Sequence, residues 1–106
     1  MIDNSLPKRG TYYHTLCEYY ELTGDIERAY NLRQEQMIAI TALSLTEQSF
    51  AHLHYCRLLG RMGKPLDTAL ANARALTKNM KRADLYLEHV QRIEDGKYYL
   101  YDWQKA

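Results

Sequence analysis

Two eight-residue segments of this chain end on the same punctuation. CEYYELTG runs from Cys17 to Gly24, and CRLLGRMG runs from Cys56 to Gly63. Each sets a cysteine seven residues before a glycine, and the two are offset by 39 residues. Within them Tyr20 matches Leu59, and just before them Leu16 matches Tyr55. Past the glycines the offset is 40, pairing Ile26 with Leu66, Ala29 with Ala69 and Tyr30 with Leu70; Pro65 accounts for the extra residue. A glycine closing a stretch of helical periodicity reads as a helix stop, because glycine enters the left-handed conformation without a Cβ penalty. A helix–stop–helix pattern recurring at this period predicts stacked helical hairpins, since one hairpin alone cannot bury its apolar face.

The rest of the chain fits that frame. Residues 1–10 read as a leader broken by Pro7 and Gly10. From Thr11 to Thr23 the positions 13, 16, 17 and 20 make one helical face, widened by Tyr12 and Tyr19. Asp25 can cap a second helix over about Ile26–Ala42, with Ile26, Ala29, Tyr30, Met37 and Ile40 on its apolar line. Tyr30 is expected to pack this helix on the first. Ser44 with Glu47 forms a capping box for a third helix ending near Met62, with Thr46 as the alternative cap. Pro65 suits the first turn of a fourth helix using Leu66, Ala69, Leu70, Ala73, Leu76 and Met80. A fifth helix, Asp84 to Glu94, uses Leu85, Tyr86, Leu87, Val90 and Ile93 and stops at Gly96. The expected class is all-α. One domain spans residues 11–96, with hairpins over 11–43 and 44–80, a capping helix over 84–95, and an aromatic tail over 97–106.

The residues Tyr13-x2-Leu16-Cys17-x2-Tyr20, followed by Ala29, and the weaker series His52-x2-Tyr55-Cys56-x2-Leu59, followed by Ala69, resemble the tetratricopeptide repeat family. Cysteine stands at its small-residue position and tyrosine at its tryptophan position. Arg33 and Ala73 stand where the family carries a later aromatic. The resemblance implies an α–α superhelix serving protein–protein interaction or scaffolding. It also implies a concave groove lined by the first helix of each hairpin. The outward residues there would be His14, Glu18 and Glu21, then Phe50, Leu53, Arg57 and Arg61: an acidic strip beside a basic and apolar one, suited to a peptide. About three repeats are normally needed for independent stability. Two hairpins and a helix therefore suggest part of a longer array, or a homo-oligomer.

Composition narrows the function further. The chain has 106 residues, a net charge of +1 and 25% charged residues, so nothing pulls it as a whole toward nucleic acid or an anionic membrane. No apolar run approaches a membrane span, and the N-terminus lacks the apolar core of a signal peptide. Two cysteines make no disulfide framework, so a reduced, cytoplasmic setting is expected. Ten tyrosines against one phenylalanine and one tryptophan suit thin layers, where a ring packs while its hydroxyl stays wet.

Candidate chemistry is sparse. His14 with Cys17, and His52 with Cys56, have helical spacing and in principle offer two halves of a zinc site. The cysteines are already explained as small repeat-core residues, and helix-buried thiols are poor nucleophiles. Glu18 and Glu21 imitate a carboxylate pair but fit a solvated or ligand-facing edge. No phosphate loop or hydrolase motif occurs. No enzyme, metal or cofactor is expected.

Charge is uneven along the chain. Residues 11–43 hold two basic and five acidic groups, whereas residues 44–82 hold seven basic and two acidic. Arg74, Lys78 and Lys81 would share one face of the fourth helix. With Arg57 and Arg61 they supply the runner-up reading, a regulatory domain contacting nucleic acid or another polyanion. Peptide ranks above nucleic acid because no exposed aromatics interleave the charges. In the tail, Tyr98, Tyr99, Tyr101 and Trp103 are too many large aromatics to leave bare. They are expected to dock, on the last helix or on another chain, as an assembly surface.

Overall fold

The computed structural model describes the backbone of residues 10–99 and the side chains of residues 14–99. Residues 1–9, the side chains of Tyr12 and Tyr13, and Tyr101 and Trp103 lie outside the described residues. Five helices follow in order: α1 Gly10–Leu22, α2 Ile26–Ile38, α3 Leu45–Arg61, α4 Asp67–Ala75 and α5 Ala83–Glu94. Among the described residues there is no strand.

The helix ends follow from local chemistry. Glycine at positions 24, 63 and 96 has φ of +91°, +70° and +93°. After α1, the Asp25 amide donates to the Tyr20 carbonyl (2.8 Å) and the Gly24 amide to Glu21 (3.2 Å). The same nested pair recurs from Lys64 to Leu59 and Gly63 to Gly60, and from Lys97 to Arg92 and Gly96 to Ile93. These are Schellman closures, which satisfy orphan carbonyls and require the left-handed residue. Two helix starts are also as the sequence indicates, whereas α4 begins only at Asp67, so Pro65 lies before its first turn rather than in it. Asp25 accepts from the Arg28 amide (3.3 Å). Ser44 Oγ accepts from the Glu47 amide (3.2 Å) while its hydroxyl donates to Glu47 Oε1 (3.1 Å).

Two helix ends differ from expectation. α2 ends at Ile38 rather than Ala42, and Ile40–Ala42 form a 3₁₀ turn. Leu43 and Ser44 must be extended for Ser44 to cap α3, so the chain leaves the helix early. α4 ends at Ala75 rather than near Met80, and Leu76–Asn79 tighten into a second 3₁₀ turn. There the Thr77 hydroxyl donates to the Arg74 carbonyl (2.7 Å), a side-chain bond that competes with helical pairing.

α3 touches all four other helices. α1, α3 and α5 meet in sequence as one layer, with α2 against α1 and α3, and α4 against α3 and α5. The molecule is 22 Å across its thinnest direction, about two helix diameters. Cys56 and Leu59 of α3 pack with Ala69, Leu70 and Ala73 of α4 and Tyr86, Val90 and Ile93 of α5. Cys17, Ala29, Ala51 and Leu58 are also buried, on the first three helices. Leu58 is fully enclosed, and truncation of such a side chain to alanine costs about 2–5 kcal/mol. Tyr30 corrects one expectation. It stacks on Tyr55 of α3, ring centroids 6.0 Å apart and 9° from parallel, so it ties α2 forward to α3. No helix among the described residues is long and apolar enough to cross a membrane.

Candidate functional site

The α1–α3 seam carries the polar residues that the sequence singled out, arranged otherwise than expected. Glu21 on α1 and Arg57 on α3 do not face outward; they are 4% and 7% exposed. Their helices are neighbours, so the acidic and basic strips meet each other. Arg57 Nη1 and Nη2 hold Glu21 Oε2 and Oε1 at 2.6 and 2.8 Å, the bidentate geometry of the strong guanidinium–carboxylate pair. Arg61 Nη1 adds a third bond to Glu21 Oε2 at 2.8 Å.

Arg57 does more. Its Nη1 donates to the Tyr98 carbonyl (2.8 Å), and its Nε and Nη2 reach His54 Nδ1 at 3.2 and 2.8 Å. All five of its N–H groups thus have acceptors. Because a guanidinium only donates, His54 Nδ1 is an unprotonated acceptor. Burial and the Arg57 charge hold the His54 pKa well below its ordinary value. Burial works against ionisation of Glu21, but the bonds and charges of Arg57 and then Arg61 outweigh it and hold its carboxyl below the usual range.

The described part of the tail, residues 97–99, docks on this seam. Tyr98 packs against the α3–α4–α5 core, and its ring lies over Gly60 of α3, where any Cβ would overlap it. The Arg61 guanidinium sits 4.5 Å from the centroid of the half-exposed Tyr99 ring. Within the expected assembly surface, Tyr98 is therefore covered by its own chain, on α3 as well as the last helix. The Arg57/Arg61 end of the expected groove carries tail.

At the other end of the seam lies a second buried arginine. Arg33 of α2 is 2% exposed. Its Nη1 donates to Gln36 Oε1 (3.0 Å) and its Nη2 to His14 Nδ1 (3.1 Å). That bond places the His14 ring proton on Nε2, 3.3 Å from Glu18 Oε2. Burial and then Arg33 lower the His14 pKa, with Glu18 opposing. The His14 ring also lies 5.1 Å from the His54 ring, linking the two arginine clusters. Arg33 Nε is the one buried side-chain polar atom among the described residues that lacks a hydrogen-bond partner. Arg33, His14 and Gln36 line a cavity of about 310 Å³, closed by Thr46, Glu47, Phe50 and Ala51 of α3.

Phe50 separates that cavity from a cleft of about 370 Å³ between α3 and α5. Phe50, Leu53, Met80 and Leu85 give the cleft its apolar wall, with Lys81, Arg82 and His89 at its rim. Phe50 is 53% exposed and Leu85 47%. Leu53 is half-buried.

The expected basic face is divided. Arg74 on α4 pairs with Glu94 of α5. Lys78 lies in the 3₁₀ turn and Lys81 in the turn after it, so the three share no continuous helix face. Arg57 and Arg61, bound to Glu21, are also withdrawn from any polyanion surface. Both cysteines are buried; Cys17 Sγ donates to the Ala29 carbonyl (3.6 Å), and burial pushes the Cys56 thiol up to about 11. Among the described residues no group of three or more His, Cys, Asp or Glu is placed to hold a metal ion.

Arg33, Gln36, His54 and Gly60 are not among the site residues expected from the sequence. Arg33 did carry a signal: it sits four residues after Ala29 and four before Met37, a charge on the apolar line of α2. Comparison with family models, with characterised proteins and with solved structures finds no match to this chain.

Proposed function

We propose that this chain is a non-enzymatic protein–protein interaction module, built as a TPR-like stack of helical hairpins, that receives a segment of a partner in the α3–α5 cleft. The observation that carries the reading is the exposed apolar wall of Phe50 and Leu85 beside half-buried Leu53, set on two packed helices. Large side chains exposed together on rigid elements mark contact surfaces more often than scattered ones do. The cationic rim of Lys81 and Arg82 favours a segment with apolar anchors and acidic flanks. Among the described residues Arg82 has a long, exposed contact with Asp84 (3.8 Å), weak enough to leave it responsive to a ligand. The neighbour pattern supports the hairpin reading: α1 meets α2 and α3, and α3 likewise meets α4 and α5.

The test is a photocrosslinking residue at position 50 of the full chain, with one at exposed Glu27 as the control position. The expected result is one partner captured from position 50 alone, with Leu85→Asp abolishing capture while helicity is kept. Capture that is equal at both positions, or unchanged by Leu85→Asp, overturns the reading. Light scattering separates a second copy of this chain from a different protein as the partner.

A further inference from the structure

Arg33 presents a problem of charge. A guanidinium removed from water needs a counter-anion or a full set of acceptors, and removal of either leaves a large desolvation cost. Arg57 has both. Arg33 is buried further, yet its hydrogen-bond partners among the described residues are neutral: an amide oxygen and an imidazole nitrogen. Glu18 lies on the far nitrogen of His14, and Glu21 is held by Arg57 and Arg61. The Nε–H has no acceptor. The Nε/Nη2 edge can grip a carboxylate in two parallel bonds, as the Nη1/Nη2 edge of Arg57 grips Glu21, and Nη2 carries a second hydrogen beyond the one given to His14. Arg33 is one of the residues that line the 310 Å³ cavity.

We propose that the cavity between α1, α2 and the first turn of α3 binds a monocarboxylate with a short apolar body, its carboxylate on Arg33 and its body against Phe50 and Ala51. The lining sets this class. Phe50 and Ala51 supply an apolar wall, and Thr46 supplies a hydroxyl at the amino end of a 17-residue helix, where anions are favoured. Glu47 and Glu18 stand close by, which selects against dianions such as phosphate. The volume suits a small molecule at the lower end of ligand sites. A free acid and an acidic side chain delivered by another protein share this chemistry.

The experiment follows the Arg33 side-chain Nε–H and the Phe50 and Ala51 amides by NMR in the full chain. Three probes are titrated: sodium benzoate, its neutral isostere benzamide, and the α-amide of N-acetylglutamate. Benzoate is expected to move these signals in a saturable way, and benzamide to leave them in place. A shift with the glutamate derivative alone also upholds the site and assigns its source to a protein side chain. Equal shifts with benzamide, or none with either carboxylate, overturn the proposal. Arg33→Met is expected to weaken benzoate at least about tenfold, equivalent to a loss of about 1.4 kcal/mol. Arg33→Lys, which keeps the charge without the fork, is expected to weaken it less, and covers the case in which Arg33→Met does not fold. Leu85→Asp, in the partner cleft, is expected to leave benzoate binding unchanged, so failure of the cleft reading and of this one are separable.

Discussion

The two buried arginines of this molecule stand at opposite ends of one polar seam and differ in a single respect. Arg57 has five N–H donors, each with an acceptor: the two oxygens of a carboxylate, a tail carbonyl, and an imidazole nitrogen that takes two of them. Arg33 is as deeply enclosed, and is left with an amide, an imidazole and an unused Nε–H beside a cavity. Saturation makes the first a fastener joining α1, α3 and the tail. Incompleteness makes the second a receptor. Burial alone does not distinguish the two; the count of acceptors does.

The largest effect expected at the fastener is on Arg57→Met. It leaves a buried carboxylate with one arginine bond, from Arg61, in place of three, and the expected loss is about 3–5 kcal/mol in urea denaturation. Adding Glu21→Leu should restore most of that loss; a double variant as unstable as the single one would show that Glu21 contributes nothing through the pair. The next effect is of acid. His54 has a folded pKa well below 6.5, so below that pH the unfolded chain takes up a proton that the folded chain does not. Glu21 stays ionised in the fold below its ordinary 4.5, which repeats the imbalance at lower pH. In both cases the unfolded state binds more protons, so stability should fall as pH drops, first below about 6.5 and again below about 4.5. A melting temperature flat from pH 7 to 4 would contradict this. In Arg57→Met the second fall should shrink, because Arg61 alone is then left to oppose the burial that raises the Glu21 pKa. A smaller effect is expected of Gly60→Ala, whose methyl overlaps the Tyr98 ring. It should cost about 1–3 kcal/mol and speed hydrogen exchange at residues 97–99, with α1 and α2 unaffected. Unchanged exchange there would detach the tail from the fastener.

Much of the fold was legible because it depends on short-range signals. Gly24, Gly63 and Gly96 stop helices, and Asp25 and Ser44 start them, through bonds that span only a few residues. The cysteines Cys17 and Cys56 mark buried small positions on two helices, as their matched spacing implies. What the sequence concealed depends on which helices become neighbours. Glu21 and Arg57 each look like solvated residues on their own helix, and only the α1–α3 contact turns them toward each other. Tyr30 finds Tyr55 for the same reason. The early ends of α2 and α4 arise from competition, between helix continuation and the extended Ser44 cap, and between backbone and the Thr77 hydroxyl. Arg33 was visible as a charge on an apolar line, but its missing acceptor belongs to three dimensions.

The comparison is tested most directly by urea melts of Arg57→Met and Arg33→Met, measured side by side without added ligand. A buried cation that lacks a counter-ion carries an uncompensated desolvation cost, which a hydrophobic residue of similar volume removes. The expected result for Arg33→Met is therefore a change within about 1 kcal/mol or a gain, against a loss of about 3–5 kcal/mol for Arg57→Met. Equal losses from the two variants would contradict the distinction, and would make Arg33 a second fastener whose counter-ion lies within the protein.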